Sequence, residues 1–182
     1  MLSKTLTKVL NDQVNAEMYS AYLYLSMSAY TEGMGLKGAA NWLYTQAQEE
    51  MAHAIHMYQY VLDRGAVPAL PAIKAPEASF AGLTDVFEKV LAHERKVTER
   101  LNNIATLAMK DNDHACYQFI MWYVNEQVEE ESSCTDILSK LALIDNNKGH
   151  LLNLDNELAT RTYNNPFPDD AKLNGGGVAV TA

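Results

Sequence analysis

The sequence lacks long apolar runs and any excess of positive charge. No stretch is apolar over the roughly 18 residues that a membrane-spanning helix needs, although 48% of all residues are hydrophobic. The chain carries 14 Lys and Arg against 23 Asp and Glu, which gives a net charge of −9. Nucleic acid rewards clustered Lys and Arg. We therefore expect neither a membrane nor a nucleic acid as partner.

Cysteine is also scarce, and no disulfide is expected. Cys116 and Cys134 are the only two cysteines, and both fall in a segment that is predicted below to form one helix. About five helical turns would separate them, which is far beyond the reach of a disulfide. Residues 1–8 lack the apolar centre of a secretory signal. We therefore expect buried, reduced thiols in a cytoplasmic protein.

Four long segments place apolar residues at helical spacing, and strand-like alternation is nowhere sustained. The first two segments cover about residues 3–33 and 37–64. The third begins at Thr84 and Asp85, which are predicted to supply the helix cap and an acid in the first turn. The fourth follows Asp113. The pattern predicts an all-α protein built on four long helices.

A short fifth helix is predicted over about residues 148–160, and it is too short to be stable without docking on the rest of the protein. After Tyr163 the composition changes to Asn, Pro and Asp and then to three consecutive glycines. Such a composition is typical of a loose tail. The sequence therefore predicts one domain over residues 1–163 and a flexible tail over residues 164–182.

The linker over residues 65–82 contains three prolines and cannot be the interior of a helix. The connections on either side of it are short, so the first and second helices, and the third and fourth, are predicted to be antiparallel pairs. The linker could span about 55–60 Å if extended, which exceeds the roughly 40 Å length of each long helix. We expect the second and third helices to be parallel. The alternative is an up-and-down bundle with an oversized loop.

Polar side chains occupy the middle of every apolar stripe, where leucine would be expected. Counted from the predicted turns, they fall within about one helical turn of the same depth in the bundle. They are Glu17 on the first helix, Glu50 and His53 on the second, Glu94 on the third, and Gln127 and Glu130 on the fourth. Four independent stripes thus converge on one point.

Basic residues are absent around these positions, since residues 9–36, 38–63 and 111–139 contain no Lys or Arg. A buried carboxylate must be protonated, paired or bound to metal, because an unpaired buried charge costs several kcal/mol. Arg95 and Lys96 point away from the stripe. A bound cation is therefore favoured over a polar network that only fixes helix register, and carboxylates with one imidazole suit Fe(II), Mn(II) or Zn(II) better than copper.

Glu50 and His53 form a Glu-x-x-His step, which places both side chains on one helix face about a turn apart. This step alone is common. Together with Glu17 and Glu94 at matched depth on two other helices, it is typical of the di-iron carboxylate bundles.

The chain resembles the bacterial non-haem ferritins from residue 1 to about residue 160. The resemblance rests on the segments 10–20, 47–53, 93–94 and 122–131. It implies a ferritin-like four-helix bundle with one long crossover between the second and third helices and a short fifth helix. It also implies a ferroxidase that oxidises Fe(II) with O2 and stores ferric mineral inside a hollow shell of 24 subunits.

Carried over by position, the resemblance assigns ligands to two irons and to a probable third. Glu17, Glu50 and His53 would hold the first iron, and Glu50, Glu94 and Glu130 the second, with Gln127 beside it. The third iron would fall on Glu49, Glu126, Glu129 and Glu130. Tyr24 lies on the stripe of Glu17, where its hydroxyl could hydrogen-bond a ligand carboxylate or supply an electron, or simply be satisfied in the core.

Two alternatives remain open. Haem-containing bacterioferritins carry a second Glu-x-x-His on the fourth helix, where this chain has residues 127–130 as Gln-Val-Glu-Glu. Met51 matches their haem-ligating methionine, but a helical methionine is more often a packing residue, so no haem is expected. A di-iron oxidase of an organic substrate would need an apolar pocket beside the metals, and Tyr24, Gln46 and Tyr123 are predicted to fill that space.

The remaining histidines fall off the inward stripes and are expected at the surface or at subunit interfaces. They are His56, His93, His114 and His150.

Overall fold

The computed structural model describes residues 1–144 and 147–167, and these residues form five α-helices without any strand. The helices are α1 (Lys4–Gly33), α2 (Lys37–Asp63), α3 (Leu83–Lys110), α4 (His114–Leu143) and α5 (Lys148–Leu158). The predicted all-α class is confirmed. Among these five helices, none combines the length and the apolar character needed to cross a membrane. Residues 168–182, most of the predicted tail, lie outside the described residues.

The third helix begins one residue before the predicted cap. Helix α3 starts at Leu83, so Thr84 lies inside its first turn and the prediction of a cap at Thr84 is wrong. Gly82 precedes the helix at φ 131°, a backbone conformation that L side chains rarely adopt. The predicted first-turn acid is confirmed, because the carboxylate of Asp85 accepts a hydrogen bond of 2.9 Å from the backbone N–H of Ala81.

Helix α1 is antiparallel to both α2 and α3. Only three residues separate α1 from α2, so α2 packs back along it. Against α3, Arg100 donates to Gln13 and His93 contacts Ser20, so residue numbers fall along α3 as they rise along α1. Two helices that both oppose α1 are parallel to each other. The long crossover between α2 and α3 therefore has the predicted direction.

Two apolar clusters fill the two halves of the bundle. One contains Leu10, Met57, Leu101 and Ile120, and the other contains Met27, Leu43, Phe87 and Ile137. Along each long helix a polar residue separates the members of one cluster from those of the other. These residues are Glu17 on α1, Glu50 on α2, Glu94 on α3, and Gln127 and Glu130 on α4. The bundle is thus apolar at both ends and polar in its middle layer.

The two cysteines both lie on α4, where they are buried and unpaired. Burial raises the pKa of the Cys116 thiol to about 11 and raises that of Cys134 further. Both groups are therefore protonated thiols of low reactivity, as the sequence predicted.

The short helix α5 docks on the first turn of α2. Leu154 and Leu158 are buried in the cluster around Leu43. The Asp155 carboxylate accepts a hydrogen bond of 2.9 Å from the backbone N–H of Ala39. A carboxylate at the N-terminus of a helix is favoured by the helix dipole. The predicted docking of the fifth helix is confirmed.

Gly38→Ala is expected to disrupt this contact, because a Cβ at position 38 would lie 1.6 Å from the backbone oxygen of Asp155. Overpacking of this kind costs about 2 kcal/mol or more, and the thermal unfolding midpoint should fall. The matched control is Gly33→Ala, where a Cβ would meet no atom within 4 Å. Equal unfolding midpoints for the two variants would contradict the tight docking of α5.

Candidate metal centre

Three buried side chains from two helices meet in the middle layer. Glu17, Glu50 and His53 each offer a ligand atom, and these atoms lie within 4.8 Å of one another. The three residues are 1%, 2% and 3% exposed, respectively. The Glu-x-x-His step places its two side chains together, with Nδ1 of His53 at 3.6 Å from Oε2 of Glu50. Carboxylate oxygens and one imidazole nitrogen at this spacing form a candidate site for a divalent cation.

Two polar atoms of this cluster are buried without a hydrogen-bond partner among the described residues. They are Oε2 of Glu17 and Nε2 of His53. A buried polar atom without a partner costs about 1–3 kcal/mol, and this cost falls fully on His53, because Glu17 and Glu50 can share a carboxyl proton in the metal-free protein. Both atoms are ordinary ligands for Fe(II) and similar metals. The donor set therefore fits a bound metal ion.

Glutamines one turn earlier hold the other carboxylate oxygens. Nε2 of Gln13 donates to Oε1 of Glu17 at 2.8 Å, and Nε2 of Gln46 donates to Oε1 of Glu50 at 3.0 Å. Arg100 in turn donates to Oε1 of Gln13 at 2.9 Å. Sequence reasoning did not assign Gln13 to the site. The signal that could have identified Gln13 is the i,i+4 spacing of a Gln before a Glu, which occurs on both helices.

The second half of the layer is built around Glu94, which is 1% exposed. The Tyr24 hydroxyl donates to one oxygen of Glu94, and Nε2 of Gln127 donates to the other at 2.9 Å. Glu130, from the same helix as Gln127, is 6% exposed. The structure thus brings the six polar residues of the predicted centre, together with Tyr24, into one layer.

Burial and mutual repulsion raise the pKa values of these carboxyl groups. Burial, followed by the charge of Glu50, raises the pKa of Glu17 to about 8. Burial, followed by Glu94 and Glu130, raises the pKa of Glu50 well above its usual value. Burial, followed by Glu94, raises the pKa of Glu130 to about 7. Within residues 1–144 and 147–167, no Lys or Arg forms an ion pair with any of the four buried carboxyl groups, those of Glu17, Glu50, Glu94 and Glu130.

The family is decided by a match over most of the chain. Residues 7–144 match the family model described as a ferritin-like domain. The chain belongs to the ferritin family. This ferritin is 40% identical to a bacterial non-heme ferritin of Staphylococcus epidermidis over 164 residues, which cover 90% of this chain and 99% of that protein. A bacterial non-heme ferritin of Staphylococcus aureus is 37% identical over 163 residues, covering 90% and 98%.

Solved ferritins share the fold of this chain. A humanized archaeal ferritin superposes with a TM-score of 0.89 at 46% identity, covering 90% of this ferritin and 99% of that chain. A closed form of the Archaeoglobus fulgidus ferritin, engineered by mutagenesis, gives a TM-score of 0.88 at 44% identity, covering 90% and 100%. The predicted ferritin-like bundle with a long crossover and a fifth helix is confirmed.

The predicted third iron position lies at the edge of the layer in this ferritin. Glu49 and Glu126 are half-buried and Glu129 is exposed. Burial is the largest cause that raises the pKa of Glu49, and the charges of Glu130 and Glu126 raise it further, so these three carboxylates lie near one another. Sequence reasoning missed that Glu49 has a basic partner, because Nη2 of Arg161 donates to it.

Two of the histidines that were expected at the surface or at a subunit interface, His56 and His93, are partly buried within this ferritin subunit. His93 is partly buried, with Nε2 at 2.7 Å from Oγ of Ser20. Burial, followed by Lys96 and Arg100, lowers the pKa of His93 to about 4. His56 places Nδ1 at 2.8 Å from the Tyr123 hydroxyl. Each of these histidines contacts a residue of another helix. The apolar spacing along a single helix does not predict such a contact.

The other two histidines, His114 and His150, are exposed, as expected.

Proposed function

We propose that this ferritin oxidises Fe(II) with O2 at a two-iron centre in the polar layer and stores the ferric product. Ferritin-family membership and the buried cluster of Glu17, Glu50 and His53 fit iron storage. The observation that carries the proposal is the pair of buried, unpartnered ligand atoms on Glu17 and His53. Their free energy cost is removed when a cation binds between them.

In this proposal iron is the substrate and the side chains are its ligands. Glu17, Glu50 and His53 hold the first Fe(II), and Glu50, Glu94 and Glu130 hold the second, with Gln127 beside it. Glu50 serves both ions, which agrees with its position among the other carboxylates. O2 takes one electron from each of the two Fe(II) ions. Anionic oxygen ligands favour Fe(III) over Fe(II), so this ligand set promotes the oxidation.

Metal binding to the same carboxyl groups is expected to release protons. Glu17 has a pKa raised to about 8 and is largely protonated at pH 7 without metal, whereas Glu130, with a pKa of about 7, is about half protonated. Ligands must lose their protons before they bind metal. Binding of two Fe(II) ions is therefore coupled to release of protons from these two residues.

The space beside the ligands is filled, which supports oxidation of iron rather than of an organic substrate. Tyr24 and Gln46 are fully buried and Tyr123 is 1% exposed. A site for an organic molecule would need an apolar pocket next to the metals. These three side chains occupy that position and donate or accept hydrogen bonds within the layer.

Tyr24→Phe is expected to lower the initial rate of Fe(II) oxidation by about 10-fold, because loss of a hydrogen bond behind a metal ligand typically costs 10–100-fold. The variant frees one oxygen of Glu94 without opening a cavity. Stopped-flow absorbance after addition of Fe(II) measures the rate. Tyr22→Phe, at an exposed position on the same helix, is the control. Equal rates for wild type and Tyr24→Phe would show that Tyr24 only packs.

The proposal includes assembly into a hollow cytoplasmic shell of 24 subunits, with the mineral inside. In support, Leu25, Tyr44, Met51 and Ile55 are each 40% or more exposed and line one groove on α1 and α2. Contiguous exposed apolar surface marks an interaction site. The residue 1–163 domain and a third iron on Glu49, Glu126 and Glu129 remain part of the proposal. Of the 164–182 tail, the residues beyond Phe167 remain part of it, because Phe167 packs on the bundle.

Aerobic addition of Fe(II) to the metal-free protein tests the proposed function. Oxidation is followed by absorbance, while particle mass and retained iron are measured on the same sample. Rapid oxidation in a very large particle that retains many irons per subunit is expected. A monomer or dimer that retains only two irons would contradict storage. Absence of oxidation above the rate in buffer would contradict the ferroxidase assignment.

A further inference from the structure

The chain continues beyond α5 as a strap, residues 159–167, that follows α2 toward the polar layer. Nδ2 of Asn41 donates to the backbone oxygen of Arg161 at 2.9 Å. The Arg161 side chain pairs with Glu49. The ring of Phe167 then lies 3.7 Å from the ring of His56. Residue numbers rise together along the strap and α2, so the two segments are parallel.

Arg161 is held at three points. Its backbone oxygen is bound by Asn41, its guanidinium lies 4.3 Å over the ring of Trp42, and Nη2 donates to Oε2 of Glu49. The side chains of Arg161 and Glu49 are 23% and 17% exposed. Nη1 of Arg161 is buried without a hydrogen-bond partner among the described residues. A stacked, partly desolvated guanidinium is more strongly fixed than an ordinary surface ion pair.

The guanidinium faces a group of carboxylates that belongs to the edge of the proposed centre. Burial raises the pKa of Glu49 most, and the nearby charges of Glu130 and Glu126 raise it further. The positive charge of Arg161 lowers the pKa of both Glu49 and Glu130. The guanidinium contacts Oε2 of Glu49, so a metal ion bound through that oxygen would compete with it. A metal ion at this edge would also be repelled by the positive charge of the guanidinium.

Phe167 closes the same side of the bundle. It is 9% exposed, and its ring lies 4.7 Å from that of Trp122 and 6.0 Å from that of His53. Residues 164–167 were assigned to the predicted tail, yet Phe167 packs against a ligand of the proposed first iron. The strap therefore spans the edge of the centre from Glu49 to His53, with a charge at one end and an aromatic ring at the other.

We propose that Arg161 is a built-in cation on Glu49, so that a third metal ion binds to Glu49 and Glu126 only by displacing its guanidinium. The proposal rests on the proposed two-metal centre, whose outer edge these carboxylates form. Two metal ions fill the polar layer while Arg161 remains in place. The strap thereby sets how many metal ions each subunit holds tightly.

Calorimetric titration of the metal-free full-length protein with Zn(II), which is not oxidised, tests this inference. Wild type is expected to bind two ions per subunit tightly and a third weakly. Arg161→Gln should bind the third ion about 10-fold more tightly, within the range by which neighbouring groups alter metal affinity. Affinity for the first two ions should change by less than about threefold. An unchanged third affinity would overturn the proposal.

Four further variants separate charge from packing. Arg161→Lys keeps the positive charge, and its third site should stay weak. Glu49→Gln combined with Arg161→Gln should lose the gain, since Glu49 is the carboxylate that the guanidinium occupies. Phe167→Ala leaves the ion pair intact and should not strengthen the third site. Arg95→Gln removes the same charge at a residue that is 63% exposed, and it should resemble wild type. The opposite result in any of these would contradict displacement of Arg161.

The titration also distinguishes this inference from the proposed function. If wild type lacked a tightly bound pair of Zn(II) ions, the two-metal centre would fail. If the pair were present and Arg161→Gln left the third site weak, only the role of Arg161 would fail. Circular dichroism of Arg161→Gln controls for folding, because the hydrogen bond from Asn41 goes to the backbone of residue 161 and is retained in the variant.

Discussion

Glu50→Ala is expected to lower the initial rate of Fe(II) oxidation by more than about 100-fold, because a direct ligand should exceed the 10–100-fold effect of groups behind the ligands. Glu50 contacts His53 and Gln46, and it lies next to the carboxylates of Glu94 and Glu130. Glu50 therefore adjoins side chains assigned to both proposed iron positions. Stopped-flow measurement of the first two Fe(II) ions per subunit tests the prediction.

The loss should come from ligation and not from unfolding. Burial, followed by the charges of Glu94 and Glu130, raises the pKa of Glu50, and glutamine has the same size and keeps an oxygen that can accept the hydrogen bond from Gln46. Glu50→Gln is therefore expected to be equally inactive while retaining the thermal unfolding midpoint of metal-free wild type. Glu88→Gln, at an exposed position on α3, is the matched control. A Glu50→Gln protein with the initial rate of wild type would exclude Glu50 as a ligand of both ions.

The second large effect is on stability as a function of pH. Glu17 has a pKa of about 8 in the folded protein, against a usual value of 4.5, and Glu130 has a pKa of about 7. Between pH 4.5 and pH 8 the folded state binds more protons than the unfolded state, so the free energy of unfolding falls as the pH rises. This stabilisation is complete below pH 4.5 and is lost as the pH rises through 7 and 8.

The free energy of unfolding of the metal-free protein should fall by about 3 kcal/mol or more between pH 5 and pH 8.5, since one pKa unit corresponds to about 1.4 kcal/mol. Thermal unfolding midpoints across this range measure the trend. Saturating Zn(II) should remove most of it, because metal then replaces the protons. Glu17→Gln should flatten the metal-free curve. A metal-free stability that rises over this range would show that the four carboxyl groups are solvated or paired.

The fold was accessible from the sequence because its determinants are local and periodic. Apolar spacing identified the long helices, and the length of the 65–82 linker predicted their direction. The one boundary error, at Thr84, arose because Gly82 adopts a positive φ and lets the helix start earlier. The middle layer was also predictable, since residues such as Glu17 and Glu94 interrupt stripes that are otherwise apolar.

Parts of the site that depend on contacts between distant segments could not be predicted in the same way. Arg161 reaches Glu49 across 112 positions of the chain, and no periodicity relates them. Phe167 lies in a segment whose composition is typical of a loose tail, yet it packs on His56. The hydrogen bond between Tyr24 and Glu94 was one of several roles open to that tyrosine, and it depends on the packing of α1 against α3.

Anomalous diffraction from crystals soaked with Fe(II) under anaerobic conditions tests the central claim most directly. The account predicts one iron among Oε2 of Glu17, Glu50 and Nε2 of His53, where the unpartnered atoms lie, and a second iron between Glu50, Glu94 and Glu130. Iron found only on exposed carboxylates, with the middle layer still free of metal, would contradict it.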